Sequence, residues 1–368
     1  MPIYEGMYLM ATIQTKTVYV GLSGGVDSAV AAYLLQKQGY VVTAVFMQNW
    51  DQQACSAHQD LVDAQVVCEH LGIPLEVVNF ANAYWNEVFE QFLAAHKQGL
   101  TPNPDILCNS KIKFKHFLHY ARDRGADYIA TGHYARLVDN DRGRVLAIPR
   151  DKSKDQTYFL HALNQDQLRD VIFPLADLDK ASVRELAKAQ QLPVHAKKDS
   201  MGICFIGNKN YQAFLEEYML ARPGDIVDEK GHLLGRHKGL IFYTLGQRKG
   251  IGIGGEKARP DAAWYVAEKD FLHNRLIVVQ GGEHPLLFRH HLYCAHIHWI
   301  GCPPEEGASL TAKIRYRQLS QVCHIEEVSG GYRIVFSEPQ RAITPGQYVV
   351  FYQNEYCLGG GEIRLTLS

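Results

Sequence analysis

Between a strand-like apolar run, "TVYVGL", and an alanine-rich helical stretch, "SAVAAYLLQKQG", lies "SGGVDS" (Ser23 to Ser28), and this junction restricts the fold more than any other part of the chain. Its adjacent glycines leave backbone amides unshielded at a helix start, where the helix dipole also favours anions. A phosphate chain can lie against such a turn, with the hydroxyls of Ser23 and Ser28 donating to its oxygens and Asp27 holding a magnesium ion. Asp27 or Ser28 is the expected helix cap and Gly39 the helix stop. The pattern G-x-x-x-x-G-K-S/T is absent, as is G-x-G-x-x-G in this loop, so the common nucleotide loops are excluded. An ordinary strand-to-helix turn is the plain alternative, and the coincidence of glycines, hydroxyls and carboxylate speaks against it.

The same rhythm continues. "VVTAVFM", "PLEVVNF" and "ADYIATGH" read as further strands, with "ACSAHQDLVDAQVVCEHLG" as a helix between the first two. Apolar strands alternating with helices predict an α/β domain with a parallel sheet over residues 1–209, its ligands beyond the carboxyl ends of the strands. The helix "YQAFLEEYML" and a Gly-, Lys- and Arg-rich stretch, "GRHKGLIFYTLGQRKGIGIGG", predict a small central domain over 210–273. Short alternating segments, "RLIVVQ", "SLTAKIRYRQ", "QVCHIEEV", "YRIVFS" and "QYVVFYQ", predict a C-terminal antiparallel β-barrel over 274–368.

Composition excludes several classes. No apolar run approaches the roughly 20 residues needed to cross a bilayer, so no membrane partner is expected. The N-terminal stretch has neither a basic region before a long apolar core nor the arginines of a mitochondrial presequence, which predicts a cytoplasmic protein. Eight cysteines without any C-x-x-C argue against a disulfide scaffold or zinc ribbon. A net charge of −1 means that any nucleic acid must be bound by local patches.

The motif "SGGVDS" after a buried strand resembles the PP-loop of ATP pyrophosphatases, with an adenine nucleotide alpha hydrolase-like fold. The blocks "NPDILCNSKIKF", "ATGHYAR", "KDQTYFL", "DSMGICFIG" and "YTLGQRKGIGIGG", in this order, are similar to the tRNA-specific 2-thiouridylases over nearly the whole chain. That resemblance implies an ATP-dependent tRNA sulfurtransferase. Such an enzyme adenylates the C2 oxygen of the wobble uridine, releasing pyrophosphate, and replaces that oxygen with persulfide sulfur. The implied cofactors are ATP and Mg2+. The implied partners are tRNA, with lysine, glutamate and glutamine acceptors expected, and a persulfide sulfur-donor protein. Another PP-loop adenylating amidotransferase or synthetase, and a non-catalytic RNA-binding protein, are the rival readings.

The resemblance assigns ATP to Gly21, Leu22, Ser23, Gly24, Gly25, Val26, Asp27 and Ser28, with Met47 and Gly132 as adenosine contacts. It makes Cys204 the persulfide carrier and Cys108 its disulfide partner. Asn103, Pro104 and Asp105 would touch the flipped uridine, and His133, Lys154, Asp155, Gln156, Arg315, Tyr316 and Gln347 would contact tRNA. The residues themselves add reasons. Cys108 precedes "NSKIKFKHFLHYARDRG", which predicts a place near a helix N-terminus with Lys111 and Lys113 nearby, both features that lower a thiol pKa. Asp105 is the nearest carboxylate, a proton carrier or else a turn residue in "PNPD".

In "AKIRYRQ", alternation puts Lys313, Arg315 and Arg317 on one strand face, read equally well as a stripe for RNA or as a solvated charged face. "GIGIGG" reads as a turn because no helix follows it. Cys294, His296 and His298 in "RHHLYCAHIHWIGC" read as one face of an ordinary strand, since side chains on one strand do not converge on a metal.

Overall fold

The computed structural model describes residues 15–50, 55–140, 143–199, 211–253, 263–305 and 307–365. Its N-terminal sheet has the strand order β3-β2-β1-β4-β7, from Leu75–Asn79, Val41–Gln48, Thr17–Gly21, Tyr128–Thr131 and Val171–Ile172. Every pair in it is parallel. Helices cover a parallel sheet on both faces, which is why β1 is buried at consecutive positions, Val18 and Val20 on one face and Tyr19 on the other. Helix α1 (Val26–Lys37) follows β1 and packs through Ala29, Ala31, Ala32 and Leu35, small side chains that let it lie close to the sheet. Helix α2 (Cys55–Leu71) follows β2.

The helix cap differs from expectation. α1 begins at Val26 with Gly25 as the capping residue. Ser28 is buried, and its hydroxyl turns back to donate to the Gly25 carbonyl at 3.1 Å while accepting from the Ser23 amide at 3.1 Å. The residue expected at the cap is thus a brace inside the first turn.

The central sheet has the order β10-β11-β8-β9, formed by Trp264–Asp270, Arg275–Gln280, Gly224–Asp228 and Leu233–His237. Strand β11 is "RLIVVQ", expected to open the barrel; it pairs instead with β8 and β10, so the central sheet extends beyond residue 273. Its register buries Leu276 and Val278 with Ile226 and Val266 in the central core, a partnership that local alternation cannot reveal.

The C-terminal strands run antiparallel, and the sheet continues through β18 (Tyr356–Glu362) into a hairpin supplied by the N-terminal part, β5 (Arg136–Asn140) and β6 (Gly143–Ala147). Leu146 and Tyr158 therefore share one core with Ile300, Val350, Tyr352 and Cys357. The expected strand through "AKIRYRQ" stops at Lys313, the end of β14 (Leu310–Lys313), and the chain turns through Arg317 at φ 65°. No charged strand face forms there. The single strand expected through Cys294 to His298 is also broken, into β12 (Phe288–Cys294) and β13 (His298–Trp299). The His298 ring lies 2.8 Å from the Leu163 carbonyl, which ties it to the N-terminal part. The turn at "GIGIGG" falls partly outside the described residues.

Candidate active site

The loop after β1 and the residue after β4 meet at the carboxyl edge of the parallel sheet. A Cβ on Gly132 would stand 2.8 Å from the Ser28 nitrogen and 2.9 Å from the Asp27 carbonyl carbon, so only glycine lets β4 end against the first turn of α1. Gly24 has φ 70°, and a Cβ there would come 2.2 Å from the Asp60 carbonyl oxygen of α2. Met47 Cε lies 3.0 Å from the same point on Gly21, which puts the thioether over the end of β1. The result is a cradle walled by backbone, open to an anion at a helix start.

Asp27 is the loop's one carboxylate. It accepts the Tyr134 hydroxyl at 2.8 Å, and Lys180, at the start of the Lys180–Ala189 helix, reaches both its oxygens at 2.7 Å. Burial and the Asp27 charge push the Tyr134 phenol far up, so it acts as a donor. Lys180 also pairs with Asp199 at 2.8 Å, and Asp199 collects Lys154 at 2.9 Å and Arg184 at 2.7 Å. Burial would raise the Asp199 carboxyl, but its bonds to Lys180 and Lys154 outweigh that and hold it well below the usual carboxylate range. On the other side of the loop, Lys197 donates to the Gly24 carbonyl at 3.0 Å and to Asp60 and Asp63 at 2.7 and 2.5 Å. Tyr134 and Asp199 lie within the quoted motifs "ATGHYAR" and "DSMGICFIG" without being singled out. Lys180 and Lys197 carried no local signal, because the loop residues they hold, Asp27 and Gly24, lie more than a hundred residues away in the chain.

The second half of the site is a continuous helix over 104–122. Asn103 caps it, accepting the Asp105 amide at 3.2 Å, and Pro104 fills the first helical position, where a missing N–H costs nothing. From Cys108 to Phe117 the helix widens to π geometry, a form that occurs frequently at functional sites. Cys108 is buried and lies in the second turn, one turn further from the helix start than expected. Asn109 donates to the Phe159 carbonyl at 3.2 Å, fixing the helix rotation. Burial raises the Asp105 carboxyl, with Lys113 opposing the shift. His133 is buried against Phe114 and Phe173, with Nδ1 2.8 Å from Thr131 Oγ1. Burial, with Lys113 adding to it, keeps its ring neutral.

The other expected RNA contacts fall into place unevenly. Lys154 holds Asp199, and Gln156 accepts the Tyr134 amide at 2.8 Å, so both border the Asp27 cluster. Asp155 is buried, bound to Thr157 and paired with Lys313 at 2.8 Å; this pairing takes Lys313 out of the expected stripe. Arg315 donates to the Arg341 carbonyl at 2.9 Å, and Tyr316 packs on Phe159 with ring centroids 4.5 Å apart. Gln347 donates to the Thr101 carbonyl at 2.7 Å, just ahead of Asn103. Cys204 lies outside the described residues. No helix among the described residues is long and apolar enough to cross a membrane.

A parallel sheet with a backbone cradle at its carboxyl edge, joined to a central sheet and an antiparallel C-terminal sheet, defines a PP-loop nucleotide enzyme with two appended β modules. Family models match these parts: a tRNA methyl transferase HUP domain over residues 16–208, a tRNA methyl transferase PRC-barrel domain over 212–280 and an aminomethyltransferase beta-barrel domain over 289–363. The chain is 52% identical over 358 residues to the tRNA-specific 2-thiouridylase MnmA of Francisella philomiragia subsp. philomiragia, covering 95% of this chain and 100% of the relative. The enzyme of that name from Francisella tularensis subsp. novicida matches at the same identity and coverage. The chain belongs to the tRNA-specific 2-thiouridylase family. Among solved structures, the U34-tRNA thiolase NcsA of Methanococcus maripaludis is 21% identical with TM-score 0.35, covering 55% of this chain and 63% of that one, a likeness too slight to bear on function.

Proposed function

We propose that the chain replaces the C2 oxygen of the wobble uridine in tRNA with sulfur, consuming ATP, and that the two halves of the site divide the chemistry. The observation that carries this reading is the cradle at Gly24 and Gly132, which no side chain beyond glycine can share, within a chain of this family. Residues 21–28 hold the phosphates, with Met47 and Gly132 toward the adenosine. Asp27 is the loop's carboxylate and would hold Mg2+, which neutralises phosphate charge when bound, only if Lys180 gave up the Asp27 oxygens it now reaches at 2.7 Å.

The uridine oxygen attacks the α-phosphorus and pyrophosphate leaves. As O2 becomes an ester oxygen the ring must lose its N3 proton, and Asp105 is the base within the helix that presents Asn103 and Pro104. The terminal sulfur of a persulfide on Cys204 then attacks C2, and AMP departs with the original oxygen. Attack by the Cys108 thiol on the inner sulfur leaves the terminal sulfur on the base and closes a Cys108–Cys204 disulfide, which an external thiol must reduce. A persulfide-bearing protein recharges Cys204, and tRNAs accepting lysine, glutamate and glutamine are the substrates. The cytoplasm, where such tRNAs are modified and thiols are kept reduced, is the place for this chemistry.

Incubation with ATP, unmodified tRNA, a persulfide donor and a thiol reductant should release AMP and pyrophosphate, and omitting tRNA should abolish both. ADP and phosphate would mark an ordinary ATPase, and no turnover would favour an RNA-binding protein without catalysis. Asp105→Asn should lower tRNA-dependent AMP release on the order of 10²-fold and remove its acid limb, which lies above the ordinary carboxylate range because burial raises this group. The stability change has the opposite sign. A carboxyl whose folded pKa exceeds its unfolded one destabilises the fold once both are ionised, so the amide variant should melt higher than wild type near pH 7 and lose that advantage below about pH 4. An unchanged pH–rate profile in the variant would remove Asp105 from the proton path.

A further inference from the structure

The helix bearing Asp105 and Cys108 begins only three positions after Thr101, and the turn over 99–101 is gripped from two directions. The C-terminal module grips it from one side: the Thr101 amide donates to the Pro345 carbonyl at 2.9 Å, and Gln347 donates to the Thr101 carbonyl at 2.7 Å. From the central sheet, Lys269 Nζ donates to the Gly99 carbonyl at 2.6 Å and to the Tyr243 carbonyl at 3.1 Å. The Phe271 ring covers Gly99 so closely that a Cβ there would meet its Cζ at 1.9 Å. Lys269 has no carboxylate partner among the described residues; both of its hydrogen-bond partners are carbonyls at the seam between the central sheet and the catalytic part.

We propose that Lys269 is a positioning residue for the reaction, an ammonium strut that fixes the 99–101 turn and through it the start of the Asp105–Cys108 helix. The transmission is short. Pro102 and Pro104 flank the capping Asn103, and each proline locks one backbone dihedral, so a shift of the turn passes to Asp105 instead of being absorbed. An ammonium gives charge-assisted bonds to both carbonyls, stronger than those of a neutral donor. Burial pulls the amine down to about 8, so the charge is kept at neutral pH against its desolvation.

The proposal rests on the reading of Asp105 and Cys108 as reacting groups, and its test is separate from theirs. Lys269→Met removes both bonds and keeps much of the stem. With saturating ATP, tRNA, persulfide donor and thiol reductant, kcat for AMP release should fall about tenfold, the scale expected when reacting groups are slightly misplaced, while KM for ATP is unchanged because the proposed phosphate loop over 21–28 is a separate segment. A folded Lys269→Met protein with kcat within about twofold of wild type would overturn the proposal. If Asp105→Asn leaves AMP release unaltered while Lys269→Met slows it, the assignment of Asp105 is what fails.

Wild type supplies a check that needs no variant. Above about pH 8 the strut loses its charge and its bonds weaken, so kcat for AMP release should decline through a basic limb there. The neighbouring groups do not produce this limb. Burial pulls His96 down to about 4 and pushes the Tyr211 and Tyr243 phenols up, while Asp270 is held below the usual carboxylate range by its bonds from His273. A wild-type rate that stays flat between about pH 7 and pH 9.5 would also overturn the proposal.

Discussion

Cys204→Ser is expected to lower 2-thiouridine formation by at least about 10³-fold while tRNA-dependent pyrophosphate release, the product of adenylation, still occurs. Adenylation joins the uridine oxygen to the α-phosphorus and uses the cradle and a base, with no thiol in the step. Sulfur delivery is different, because a serine hydroxyl cannot carry a second sulfur as a persulfide. Cys108→Ala should show the same separation, since it removes the thiol proposed to close the disulfide and leaves the cradle over 21–28 untouched. Nucleoside mass spectrometry reads the thiolated base and a pyrophosphate assay reads adenylation on the same samples. Full sulfur transfer by the Cys204→Ser protein would defeat the persulfide assignment and revive an amidotransferase-like reading, which needs no such cysteine.

Gly132→Ala should weaken ATP binding on the order of 10²-fold with a lesser loss of thermal stability. The added methyl would stand 2.8 Å from the Ser28 nitrogen and 2.9 Å from the Asp27 carbonyl carbon. Both are backbone atoms of the first turn of α1, so no rotamer change relieves the contact and the turn itself must move. Movement there redirects the amides proposed to hold the phosphates and drags Asp27 from Lys180 and Tyr134. Calorimetric titration with ATP, alongside thermal melting, tests this. Wild-type affinity in a folded variant would show that the phosphates lie elsewhere.

Both effects were legible to different degrees. "SGGVDS" is a local signal, because unshielded amides, a helix start and small side chains all fall within six consecutive residues. The parallel sheet was legible for a similar reason, as uninterrupted apolar strands alternating with helices have few other ways to bury both faces. Asn103 and Pro104 were read only as base contacts by resemblance, whereas the fold makes them the cap and first residue of the helix that carries Cys108. The charged stripe failed because alternation assumes that a strand continues. It does not see that Lys313 can be drawn inward by a buried Asp155 from another part of the chain.

By itself, then, the sequence determined the glycine-rich turn after β1, the α/β core and the order of the appended β modules, because each depends on neighbours within a few turns or strands. Tertiary structure alone decided that Lys180 and Lys197 brace the cradle, that "RLIVVQ" joins the central sheet, and that the β5–β6 hairpin merges with the C-terminal strands. It also decided that Lys269 and Gln347 meet at one turn ahead of the helix that carries Asp105 and Cys108. Such contacts join residues far apart in the chain through charge and hydrogen bonding, and a buried carbonyl or carboxylate accepts any donor that the fold brings within reach, so no local pattern records which donor arrives.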